Sequence, residues 1–190
     1  DLHRRRHSFP TRRSSDLLCP LLHYSMSLLT VKQLAAIAIS KSNFKPYGQL
    51  ITPSPDGKVF DQNDAILQLQ NGTPRFYIMH LERRGRTFTQ ITRHHSCTQC
   101  LGSLNGKDWL MAVCPPSDLA EPDLNHLRAF SIPGDCFIKL EVGTWHSGPY
   151  FNYPAVNFYN LELSDTNVVD HFIYDFATKK NIKFEIIDAS

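Results

Sequence analysis

From residue 75 onward the chain reads as short runs in which apolar and polar positions alternate. The runs cover 76–80, 87–92, 99–104, 108–114, 127–132, 135–142, 156–163, 172–176 and 182–187. They are rich in Val, Ile, Phe, Tyr and Thr and bounded by Gly, Pro, Asn or Asp, so each predicts a β-strand. Asn105-Gly106 falls between 99–104 and 108–114. This dipeptide favours a tight turn with two left-handed residues, which predicts a hairpin. The strands follow one another too closely for crossover helices, so the chain is expected to be mainly β, a barrel or sandwich with a few short helices. One helix is predicted over 27–39, where Leu28, Val31, Leu34, Ala35 and Ala38 share a helical face. Residues 51–64, with Pro53, Pro55, Asp56 and Gly57, read as a surface excursion. Residues 115–125 read as a loop with at most one helical turn.

Composition changes this picture at one end. The chain has 190 residues and a formal net charge of +2. Residues 1–17 carry five arginines against two aspartates, which leaves about −1 for the rest. The stretch from His7 to Leu17 resembles a translated sequencing-library adapter, and 1–17 is expected to be no part of the natural fold. The other reading of that segment is an Arg- and Ser-rich transit peptide. Residues 18–43 are then a lead-in with the predicted helix, and 44–190 a single domain with a sizeable core. No basic stripe remains in the body, so no nucleic-acid footprint is expected. No apolar run reaches membrane-spanning length. Five cysteines without a visible secretory signal read as reduced thiols, which points to a cytoplasmic protein.

Candidate chemistry sits on two segments. His94 is followed after four residues by Gln99 and after six more by Gly106; Gly143-x-x-His146 lies further on. These spacings are similar to the two motifs of cupin barrels, which predicts a single cupin-type (RmlC-like) β-barrel, or jelly roll, with a polar pocket in its mouth. The departures are informative. Thr92 stands where cupins place a first His, Gln99 where they place a carboxylate, and Tyr150 where they place a last ligand. Most of the metal cage is therefore absent, and no resident metal is expected. A weakly held divalent ion through His94, Gln99 and His146 stays open, since neutral ligands hold hard cations poorly. The Cys97-x-x-Cys100 pair lacks a second pair at zinc-finger distance. His94 and His146 are the acid–base candidates, because imidazole exchanges protons near neutral pH. Gln99 offers a donor and an acceptor to a polar ligand, and Trp145 is expected on the pocket wall. Lys139 is the candidate for binding a substrate carboxylate. Most of Lys139, Arg128, Glu141, Asn160 and Glu162, the polar groups within predicted strands, are expected to face outward. His95 should point away from His94 and play a structural part.

Four blocks in order resemble the ureidoglycolate lyase (ureidoglycolate hydrolase) family: Phe44-Lys-Pro-Tyr47-Gly48-Gln-Leu-Ile51, Arg93-His94 with Thr98-Gln99, Pro122-Asp-Leu-Asn-His-Leu-Arg128-Ala-Phe130, and Trp145-His146. The resemblance covers about 44–175, with Ser147 where bacterial members often carry His. It implies a homodimer that cleaves a small-molecule substrate, ureidoglycolate, to glyoxylate and urea during purine-nitrogen recovery. His94 and His146 would be the acid–base pair, and Gln99 would hold the urea end. Two other readings remain at this point. One is a small-acid-binding or regulatory cupin without turnover. The other is a metal-dependent cupin isomerase or dioxygenase.

Overall fold

A computed structural model describes residues 28–189. The expectations for 1–17, and for the first part of the lead-in, lie outside the described residues. Thirteen strands, three short α-helices and one 3-10 turn are present among them. The strands are β1 (Thr30–Ala38), β2 (Gly48–Ile51), β3 (Pro74–Glu82), β4 (Thr87–Phe88), β5 (Gln90–Arg93), β6 (Gln99–Ser103), β7 (Trp109–Cys114), β8 (Arg128–Ile132), β9 (Phe137–Leu140), β10 (Trp145–Tyr150), β11 (Ala155–Leu163), β12 (Phe172–Asp175) and β13 (Ile182–Asp188). The helices are α1 (Lys41–Phe44), α2 (Thr166–Val169) and α3 (Phe176–Lys180).

The larger sheet has the order β12-β5-β10-β7-β8-β1-β13-β4, and the smaller one β2-β9-β6-β11-β3. Thr89 alone separates β4 from β5, so the two margins of the larger sheet meet along one continuous stretch and the sheet curls round its own core. The molecule is a mainly-β barrel of two sheets with a few short helices. Strand β7 shows why a barrel with two cores needs apolar residues on both faces. Its Leu110, Ala112 and Cys114 join Phe88, Trp145, Phe176 and Phe184 inside the curl of the large sheet. Its Trp109, Met111 and Val113 face the other way, toward Leu101, Ile138 and Phe158 of the small sheet.

Two local expectations are corrected. Residues 30–38 form a strand, not a helix. β1 runs parallel to β13 on one side and to β8 on the other, and both ladders satisfy its backbone. It is therefore part of the barrel, and the domain begins before residue 44. The Asn105-Gly106 turn does form, with φ of 60° and 65° at its two residues. The strands it joins do not pair. β6 bonds to β9 and β11, while β7 bonds to β8 and β10. The turn carries the chain from one sheet to the other, and the open space around Gly106 shows that its left-handed backbone, rather than a close contact, calls for glycine there.

Candidate active site

A cavity of about 470 Å³ opens between the sheets. Its lining comes from β3, β4, β5, β6, β10 and β11, and from residues such as Arg84, Asn167 and His171 outside the strands. The two motif segments are tied by a backbone hydrogen bond of 2.7 Å, in which the amide of Gly143 donates to the carbonyl of His94. Gly143 sits at φ 83°, a turn geometry that glycine adopts without strain. The turn feeds β10, where His146 pairs across the ladder with Thr92 of β5.

The side chains of His94, Gln99 and His146 all line this cavity. The His94 and His146 rings lie 5.1 Å apart, centroid to centroid. Each has its tautomer set by a backbone carbonyl. Nδ1 of His94 donates to the carbonyl of Asp170, and Nδ1 of His146 donates to that of Thr144 at 3.1 Å. In the neutral rings, Nε2 then carries the lone pair on both. The Thr92 hydroxyl lies 3.4 Å from Nε2 of His146. Asp170 does a second job: its buried carboxylate accepts from the amides of His95 and Ser96, which fixes the turn just after His94.

Burial pushes the His94 pKa below the usual imidazole value, although the Asp170 carbonyl and nearby carboxylates oppose the shift. Burial, helped by the neighbouring His94, pushes His146 down to about 3. Both rings are therefore neutral at physiological pH, and the pair resists taking up two protons. Of the two, His146 is the poorer proton acceptor.

Gln99 is oriented by its own neighbours. Its Nε2 donates to Asn160 Oδ1 at 3.2 Å and to Glu162 Oε2 at 2.9 Å. The carboxylate can only accept, so the amide cannot be flipped. Gln99 Oε1 is left buried with no hydrogen-bond partner. Glu162, 1% exposed, also accepts from Tyr77 and Asn167, and Asn160 donates to the Tyr77 hydroxyl at 3.0 Å.

The expectation that most of the polar strand residues face outward fails for Asn160 and Glu162: both are buried and line the cavity. Their signal was present in β11, where they continue the face of Val156 and Phe158 at period two. His171, stacked 5.8 Å from His94, and Arg84 were missed as well. Arg84 is the only Lys or Arg among the residues that line the cavity. Neither residue belongs to a spaced motif, and only the tertiary fold brings them in.

Two candidate residues are placed elsewhere. Trp145 precedes His146 on β10 and so points to the other side of the strand. It packs in the core of the large sheet, with Tyr174 edge-on and the Arg93 guanidinium 4.2 Å above its ring. It is not on the cavity wall. Lys139 lies between Ile138 and Leu140, which face the inter-sheet core, so its side chain leaves from the opposite face of β9. There it is buried against Glu141 and the Ile66 carbonyl, under the excursion before β3. It does not reach the cavity.

As donors for a divalent ion, the cavity offers the imidazoles of His94, His146 and His171 and the neutral amide oxygen of Gln99. The one buried carboxylate, Glu162, is already held by three donors. Among the described residues no group of three or more His, Cys, Asp or Glu side chains could hold a metal ion. The three rings are thus not arranged to hold a divalent cation together. Cys97 and Cys100 are buried free thiols, and burial raises Cys100 to about 11. Among the described residues no helix is long and apolar enough to cross a membrane.

Comparison with known proteins bears on this site. The family model described as ureidoglycolate lyase matches residues 31–175. No curated protein matches. Among solved structures, one on the substrate binding mode and reaction specificity switch of oxalate decarboxylase is similar at 15% identity and a TM-score of 0.37, over 55% of this chain and 24% of that one. A second, on the Mn(II) centres of Bacillus subtilis oxalate decarboxylase, has the same values. This chain thus spans about a quarter of the length of those proteins.

Proposed function

Because the chain belongs to the ureidoglycolate lyase family, and because His94 and His146 present paired Nε2 atoms to one polar cavity, we propose that it cleaves ureidoglycolate to glyoxylate and urea. The carrying observation is the tautomer lock: both Nδ1–H groups are spent on backbone carbonyls, which leaves two neutral imidazoles facing the substrate space.

The chemistry balances without water or a covalent intermediate. His94 Nε2 removes the proton of the C2 hydroxyl. The O–H electron pair becomes the C=O bond of glyoxylate, the C2–N bond breaks, and the departing nitrogen takes the proton back from His94 as urea leaves. His94 is the better base because its pKa is held up by the Asp170 carbonyl and nearby carboxylates, whereas His146 has been pushed down to about 3. His146 Nε2, also an acceptor, takes a hydrogen bond from the ureido N–H next to C2. Gln99 Oε1 accepts from the urea N–H, and its buried, unpartnered state is what suits it to that part. Arg84, in place of Lys139, takes the substrate carboxylate at the mouth.

Steady-state kinetics separate these roles. His94→Ala lowers kcat by about 10²-fold or more, the usual contribution of a positioned proton-transfer group. Gln99→Ala mainly raises KM, because it holds ground state and transition state alike. Wild-type kcat in His94→Ala would remove the base from the scheme. Saturable binding of glyoxylate without turnover would favour a small-acid-binding protein instead.

A further inference from the structure

A second cavity, of about 490 Å³, lies on the other side of the β5–β10 wall. Alternation along two strands builds it. Thr92 and His94 face the first cavity, and Arg93 between them faces the second. His146 faces the first cavity, and Trp145 beside it packs against Arg93. The remaining lining comes from His95, from the Pro116–Ser117–Asp118 stretch, and from Val142 and Gly143.

Arg93 is 7% exposed, yet among the described residues it makes no ion pair with a carboxylate. Its Nη1 donates to the Ser117 carbonyl at 3.0 Å, and its Nε has no partner. Ser117 Oγ is also buried and unpartnered. A guanidinium keeps its charge at any physiological pH, so a buried one without a counter-ion is costly unless something anionic neutralises it. Stacking on Trp145 offsets only part of that cost. Asp118 lines the cavity but is exposed and lies outside ion-pair distance of Arg93.

We propose that this second cavity binds a small oxyanion, a carboxylate or a phosphate, held by the Arg93 guanidinium and the Ser117 hydroxyl. A planar guanidinium fork with a free N–H matches both groups. The site is separate from the proposed catalytic cavity and independent of the reaction proposed there.

Trp145 supplies the readout, since a charge placed beside Arg93 changes the surroundings of its ring. The full-length protein is titrated with oxalate and, separately, with inorganic phosphate at constant ionic strength. Tryptophan fluorescence and calorimetry are followed together. The expected result is a saturable, one-to-one fluorescence change with at least one of the two anions; which anion acts tells a carboxylate site from a phosphate site. Ser117→Asp places a carboxylate beside the guanidinium and should weaken that binding at least tenfold, while Arg84→Gln, in the other cavity, should leave it unchanged. Arg93→Gln should abolish it, and Ser117→Asp keeps the test decisive if Arg93→Gln fails to fold. No saturation with either anion, or equal affinity in Ser117→Asp, would overturn the proposal.

Discussion

His146 is the residue whose environment departs furthest from water, and its burial makes a claim about stability. Its folded pKa of about 3 lies below the unfolded imidazole value near 6.5. The unfolded chain therefore binds more protons between those limits. The stabilising contribution is complete above about pH 6.5 and is lost as pH falls toward 3, by about 1.4 kcal/mol per pH unit. Urea unfolding at pH 7, 6, 5 and 4 should show this slope, and His146→Gln should flatten it. The carboxylates with lowered pKa, such as Asp61 and Asp175, act further to the acid side. A second pH effect belongs to catalysis. In the proposed scheme His94 acts only as the neutral base, so kcat/KM should be level near pH 7 and fall on the acid side, through a pKa below 6.5. A limb rising toward acid would contradict a basic role. The spacing of His94, Gln99 and His146 could be read in the sequence because motif intervals survive as ladder positions. The burial that sets their protonation, and the approach of Arg84 and His171, come from strands far apart in the chain and could not be read there.

At the level of elements, the strands after residue 75 were legible because half-buried strands write period two into the sequence. The failures were of pairing rather than of kind. β1 was misread because it lies between two parallel partners, with Ala36 its one buried side chain, so Leu28, Val31, Leu34, Ala35 and Ala38 matched a helical spacing by composition alone. The Asn105-Gly106 turn was read correctly as local geometry. A local turn does not dictate which sheet each flanking strand joins, and here it bridges two. Gly106→Ala tests the turn by itself. Its φ of 65° disfavours a Cβ while no neighbour stands in the way, so the cost should be about 1 kcal/mol, read as a lower urea midpoint with an unchanged slope. Asp170→Ala tests the support behind His94. Loss of the carboxylate frees the His95 and Ser96 amides, so kcat should fall with little change in KM, while Asp170→Asn, which keeps one acceptor oxygen, should recover part of it.

For the whole molecule, two sheets enclose a polar cavity, with the large sheet curled round a second core behind it. That arrangement lets adjacent residues of one strand serve different spaces: His94 and His146 face the cavity, while Arg93 and Trp145 lie behind the wall. In the proposed reaction this cavity performs an elimination with His94 as base. The most direct test is to incubate the full-length protein with ureidoglycolate and quantify every nitrogen-containing product along with glyoxylate. Urea and glyoxylate are expected in equal amounts, with no ammonia, and a rate at least about 10²-fold lower for His94→Ala. Release of ammonia in place of urea, or no glyoxylate above the spontaneous rate from a folded protein, would contradict it.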